Sequence, residues 1–154
     1  MKRIGVFPGS FDPFTKGHED IVRRFVPLFD QVIIAIGVNT KKQYMFSLES
    51  RFEHINSLFA DETKVVVEQY HTLTVEYCKE RKAQYLLRGI RNATDADYER
   101  SIAQMNFDLS GIETLFLMCD PALEPINSSI IREIKRNNGD ISSFVTNDEL
   151  LIIK

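Results

Sequence analysis

At 154 residues, 44% hydrophobic and 27% charged, the chain fits one soluble domain, residues 1–154, large enough to bury a core without staples. A net charge of −3 and the lack of any long apolar run exclude a membrane span and argue against a nucleic-acid binder, which needs a basic excess. Cys78 and Cys119 are too far apart for a disulfide framework or a CxxC metal pair, so buried, reduced thiols are expected, and with Met1-Lys2-Arg3 leading straight into a strand the expected compartment is the cytoplasm.

Ile4 to Phe7 reads as a first strand, followed by a glycine- and hydroxyl-rich stretch, Gly9-Ser10-Phe11-Asp12-Pro13-Phe14-Thr15-Lys16-Gly17-His18. Thr15 is the expected N-cap of a helix with Ile21, Val22, Phe25, Leu28 and Phe29 on one face, which places His18 in its first turn. Val32 to Val38 is a continuous apolar run, as in a strand covered on both faces. Ser47 caps a second helix with Leu48, Phe52, Ile55 and Phe59, and Val65 to Glu68 forms a third strand. Thr72 or Thr74 opens a third helix through Val75, Tyr77 and Cys78, and Tyr85 to Leu87 is a fourth strand ending in the basic loop Arg88-Gly89-Ile90-Arg91. Asp95 to Asp97 cap a fourth helix with a stripe of Tyr98, Ile102, Met105 and Leu109, closed by Gly111. Thr114 to Met118 is the fifth strand. Asn127-Ser128-Ser129 starts a last helix, which Asn138-Gly139 stops in left-handed conformation, and Leu150 to Ile153 is an apolar tail. Five strands alternating with helices predict an α/β fold with a doubly wound, five-stranded parallel sheet.

In such a sheet the strand-to-helix loops gather along one edge. Here they carry Ser10 to His18, Lys42, Thr74, Arg88 to Arg91 and Pro125 to Arg132, a one-sided collection of cations and hydroxyls in an acidic chain. Helix starts beside such loops offer free backbone N–H groups to anions. A P-loop, a GxGxxG fingerprint, a HExxH zinc motif and a GxSxG elbow are all missing. What remains suits a polyphosphate ligand and phosphoryl-group chemistry run by positioning and charge. His54 and His71 read as structural or surface residues, and Lys41 competes with Lys42 for the same role.

Residues 9–18 resemble the T/SxGH motif of the nucleotidyltransferase superfamily, and Ile126-Asn127-Ser128-Ser129-Ile130-Ile131-Arg132 resembles its ISS[ST]xxR motif. Lys42 before Met45-Phe46, then Arg51, then Leu87-Arg88-Gly89-Ile90-Arg91 with Asp95 and Tyr98-Glu99, is similar to bacterial phosphopantetheine adenylyltransferases over nearly the whole length. The resemblance implies a Rossmann-like nucleotidyltransferase fold and transfer of the adenylyl group of ATP to 4′-phosphopantetheine, giving 3′-dephospho-CoA and pyrophosphate. It also implies Mg²⁺ held mainly by nucleotide phosphates and water, a cytoplasmic homohexamer, and coenzyme A as a feedback ligand to be tested. Position by position, it assigns His18 to catalysis and Ser10, Lys42, Thr74 and Arg88 to phosphopantetheine. It assigns Ser10, Phe11, His18, Gly89, Ile90, Arg91, Glu99 and the segment Leu123, Glu124, Pro125, Ile126, Asn127, Ser128 and Ser129 to ATP, and no residue to a metal. Asn127 departs from the first serine of the second motif, Leu123 from a tryptophan found in some members, and Lys16 from a frequent asparagine. Altered nucleotide contacts with retained activity are expected.

Overall fold

The computed structural model describes Met1–Lys154. Its strands are β1 (Ile4–Gly9), β2 (Gln31–Gly37), β3 (Val65–Tyr70), β4 (Tyr85–Ile90) and β5 (Glu113–Met118). Its helices are α1 (Lys16–Phe25), α2 (Leu48–Leu58), α3 (Thr74–Glu80), α4 (Ala93–Ser110) and α5 (Ser128–Arg136). All strands pair in parallel in the order β3-β2-β1-β4-β5, so the chain reverses its direction of winding between β1 and β4. In open α/β sheets that switch point opens a crevice at the carboxyl ends of the strands.

The strands alternate their side chains between two cores, as a period of two requires. Phe7, Val32, Ile34, Ile36 and Leu87 pack with Ile21, Val22 and Phe25 of α1 and Ile55 and Leu58 of α2 on one face. Val6, Ile33, Ala35 and Leu86 pack with Val75, Tyr77 and Cys78 of α3 on the other. The continuous apolar run of β2 is therefore explained by burial on both faces. No helix is long and apolar enough to cross a membrane.

Several boundaries differ from the sequence reading. β4 continues through Arg88, Gly89 and Ile90, because these residues pair with Phe116, Leu117 and Met118 of β5; they are strand, and only Arg91 is loop. Leu73, with no side-chain cap bond, precedes α3, and Thr74 is its first residue; neither threonine caps it. Asn92 caps α4 by accepting from Asp95 N–H, so Asp95 is a first-turn residue. Tyr98, Met105 and Leu109 of the expected α4 core stripe are about two-thirds exposed, and Ile102 also reaches solvent. At the end of α5, Asn138 takes the left-handed conformation (φ 58°), while Gly139 is needed for space: a Cβ there would lie 2.5 Å from Ile134. Cys78 is buried as expected, but Cys119 is only partly covered.

The C-terminal segment binds back across the α1 and α2 starts. Phe144 O accepts from Lys16 N–H at 2.9 Å, Ile152 O accepts from Ser47 N–H at 2.9 Å, and Ile153 forms an antiparallel bridge with Phe46. His54, expected to be structural or on the surface, is wholly buried in α2, with Nε2 2.7 Å from Thr146 O.

Candidate active site

The join of β1 and α1 is built from the inside out. The Phe11 ring covers Gly9 so closely that a Cβ at residue 9 would meet it at 2.7 Å. Phe11 itself sits at φ 49°, a left-handed conformation held by burial of its ring against Phe7, Phe14 and His18. Thr15 caps α1 as expected, its hydroxyl accepting from His18 N–H at 3.3 Å. His18 completes a reciprocal capping box, with Nδ1 accepting from Thr15 N–H at 3.0 Å. An Nδ1 that accepts a hydrogen bond carries no proton, so the neutral ring bears its proton on Nε2, free to donate.

The environment keeps His18 neutral. Burial of the ring, and then the nearby Arg88 and Arg91 cations, push its pKa down from 6.5 to about 3. Burial likewise lowers that of His54, and its Nδ1 is buried without a partner. Both imidazoles take up protons more readily unfolded, near pH 6.5, than folded. Their contribution to stability is therefore complete above pH 6.5 and is lost as pH falls below it, for His18 down toward about 3. The thermal midpoint is expected to drop between pH 7.5 and pH 5, and less so in His18→Asn. A midpoint independent of pH in this window would contradict the neutral state of both rings.

Three guanidinium groups from three elements hold carbonyls at the end of β1 and in the loop that follows it. Arg88 of β4 donates to Pro8 O at 2.8 Å, Arg51 of α2 to Ser10 O at 2.6 Å, and Arg132 of α5 to Asp12 O at 2.9 Å. Ser128 adds a bond from its hydroxyl to Pro13 O at 2.9 Å, so the second motif docks directly on the first. The Asp12 carboxylate is occupied by the amides of Met45 and Phe46 at 2.8 and 2.9 Å, which brings the loop bearing Lys42 alongside. Asn127 caps α5 through Ile130 N–H at 2.9 Å, doing the structural work expected of a serine there.

Two cavities adjoin at this loop. The smaller, about 410 Å³, runs between α3 and α4 and is lined by Ser10, Lys42, Tyr70, Thr74, Arg88, Asn106 and Thr114, among others. The larger, about 740 Å³, is lined by Ser10, Phe11, His18, Gly89, Arg91, Glu99, Ile126, Asn127, Ser128, Ser129 and Arg132, among others. Pro8, Gly9, Ser10, Lys42, Arg88 and Glu99 belong to both and form the shared wall, where Lys42 Nζ lies 3.1 Å from Ser10 Oγ. Glu99 is 5% exposed and grips the Arg88 guanidinium at 2.5 and 2.9 Å. Thr74 Oγ1 is 2.9 Å from the Tyr70 hydroxyl.

The structure thus gathers most residues singled out in the sequence, but not all. Ile90 is a strand residue whose carbonyl accepts from Cys119 N–H, and Leu123, Glu124 and Pro125 form turns beyond the wall; none of the four lines either cavity. Lys41 lines neither, whereas Lys42 lines both. Sequence reasoning overlooked Arg51 as a loop anchor and Tyr70, Asn106 and Thr114 as lining. A lone arginine or asparagine on a helix reads as solvated surface until tertiary packing covers it.

Residues 6–134 match the cytidylyltransferase-like family model. Phosphopantetheine adenylyltransferase from Flavobacterium psychrophilum is 51% identical over 143 residues, covering 93% of this chain and 95% of the relative. That from Cytophaga hutchinsonii is 51% identical over 146 residues, covering 94% and 97%. The chain belongs to the phosphopantetheine adenylyltransferase family. Among solved structures, a putative nicotinate-nucleotide adenylyltransferase from Vibrio parahaemolyticus superposes with a TM-score of 0.70 over 97% of this chain and 91% of its own. At 20% identity that likeness speaks for the fold alone.

The smaller cavity is flanked by α3 and α4, the larger is rimmed by the starts of α1 and α5, and Lys42 and Arg88 stand where the two meet.

Proposed function

We propose that the chain transfers the adenylyl group of ATP to 4′-phosphopantetheine, yielding 3′-dephospho-CoA and pyrophosphate. The observation that carries this reading is the shared wall, where Lys42 and Arg88 face two cavities at once. The smaller cavity takes the pantetheine arm between α3 and α4, with its phosphate at Ser10, Lys42 and Arg88. The larger takes ATP, with its triphosphate at the α1 and α5 starts and Arg91.

A phosphomonoester has a second pKa near 6 and is mostly dianionic at neutral pH, so no general base is required. One of its oxygens forms the new bond to the α-phosphorus. The bond from that phosphorus to the bridging oxygen breaks, and pyrophosphate leaves with the electron pair. Lys42 and Arg88 neutralise the incoming dianion, while His18 donates its Nε2–H to the phosphoryl oxygens as charge builds. Mg²⁺ neutralises triphosphate charge when bound. No group of three His, Cys, Asp or Glu side chains gathers to hold it, and Asp12 and Glu99 are already engaged. That donor set fits an ion carried by nucleotide phosphates and water.

The exposed apolar stripe of α4, with Leu115 and Met118 of β5, favours self-association, and we take a homohexamer as the working assembly. We place the enzyme in the cytoplasm, in keeping with its two unpaired cysteines. Coenzyme A, which shares the pantetheine arm and an adenosine, fits the same two cavities as a feedback ligand.

The test is pyrophosphate release with ATP and phosphopantetheine, each omitted in turn and each replaced by CTP or nicotinate mononucleotide. Release only with the first pair is expected; ATP binding without release under any pairing would leave a nucleotide sensor. Lys42→Ala is expected to raise KM for phosphopantetheine roughly tenfold or more, the scale of a charge-assisted hydrogen bond, and Lys41→Ala to leave it within about twofold. The reverse order would transfer the role to Lys41.

A further inference from the structure

Arg51 is an unusual side chain for a buried helix position. It is 2% exposed, it has no carboxylate partner within ion-pair distance, and its guanidinium carbon lies 4.2 Å from the centroid of the Tyr44 ring. Its hydrogen bonds go to two carbonyls, Phe46 O at 3.2 Å and Ser10 O at 2.6 Å. Burying a guanidinium without an ion pair is costly, and an apolar side chain would fill the same volume at less expense. The bond to Ser10 O lies behind the loop, since Arg51 lines neither cavity.

The peptide from Ser10 to Phe11 is trans, the chain's only cis bond being Asp12–Pro13. In a trans peptide the N–H points opposite to the C=O. With Ser10 O drawn back to Arg51, Phe11 N–H faces the other way, and Phe11 lines the larger cavity. That N–H has no hydrogen-bond acceptor within the chain. Rotation of this one peptide plane would instead turn a carbonyl oxygen toward the site and repel a phosphate. The Phe11 ring, stacked on Phe7 with centroids 5.5 Å apart, anchors the far side of the plane but does not choose between its two orientations.

We propose that Arg51 is a positioning residue that fixes the Ser10–Phe11 peptide with its N–H aimed at the nucleotide phosphates. The proposal rests on the reading that the larger cavity holds ATP. It explains why a charged group is buried here: a stacked, planar guanidinium donates to two carbonyls in a fixed direction, which neither an aliphatic side chain nor a flexible ammonium does.

The test compares Arg51→Gln, too short to reach Ser10 O, with Arg51→Lys, which restores one donor. Arg51→Gln is expected to lower kcat roughly thirtyfold or more, the scale of a misplaced phosphate donor, with KM for phosphopantetheine within about twofold. Arg51→Lys should recover part of kcat. A folded Arg51→Gln variant with wild-type kcat, or one whose KM for phosphopantetheine rises while kcat holds, would overturn the proposal. Should Arg51→Gln fail to fold, the amide resonance of ¹⁵N-labelled Phe11 decides. It is expected to shift on adding a non-hydrolysable ATP analogue to the wild type and to shift less in Arg51→Lys; equal shifts in both, or none in the wild type, would overturn it. Wild-type pyrophosphate release is measured alongside: without it the functional reading fails, and with it any failure belongs to Arg51 alone.

Discussion

His18→Ala is expected to lower kcat by roughly a hundredfold or more while the substrates' KM values stay nearly constant, because the donor acts chiefly on charge that develops in the transition state. The geometry makes the imidazole a neutral donor. Nδ1 is committed to Thr15 N–H, leaving the proton on Nε2, and burial with Arg88 and Arg91 nearby pushes the pKa down to about 3. The pH–rate profile should consequently carry no limb from His18 between pH 5 and pH 8. Any fall on the acid side should follow the second ionisation of the phosphomonoester near pH 6. The variant loses the acceptor for Thr15 N–H, a capping loss of about 1 kcal/mol, so it remains folded. Steady-state kinetics with a parallel thermal melt check both parts. An undiminished kcat would remove His18 from the reaction.

Arg88→Ala is expected to raise KM for phosphopantetheine by well over tenfold, since Arg88 is a cation of the shared wall, with only Lys42 beside it. It should also destabilise the fold. Glu99, 5% exposed, would lose the bonds at 2.5 and 2.9 Å and remain a buried carboxylate without a partner, while Pro8 O would lose its donor. A stability loss of about 2–3 kcal/mol is the scale for a partly exposed pair of this kind. The double variant Arg88→Ala/Glu99→Gln separates the effects. It should regain much of the stability, because the stranded charge is gone, yet keep the raised KM. Were KM for phosphopantetheine unchanged in either, Arg88 would have only a structural role.

The elements that sequence reading placed well are those whose physics is local. Thr15, Ser47 and Asn127 cap α1, α2 and α5 because a side-chain oxygen reaches an amide two or three residues on. β2 is a buried strand because seven residues in a row offer little polar surface. Where the reading differed, a distant partner, or the lack of one, decided the outcome. Arg88 to Ile90 look like a basic loop, yet β5 supplies the hydrogen bonds that extend β4 through them. The α4 stripe has helical spacing, yet α4 presents it to solvent.

The sequence by itself determined the alternation of strands and helices, the family, and the two motifs with the cations between them, because propensity, capping and motif spacing are written in contiguous residues. Only the tertiary structure decided the strand order, which puts β1 beside β4 and so brings Pro8 O against Arg88. It alone divided the site into two cavities with one wall, left Leu123 to Pro125 outside that wall, and turned Arg51 inward to hold Ser10 O. These are relations between residues tens of positions apart. Burial and hydrogen-bond direction arise only when the sheet brings such residues together.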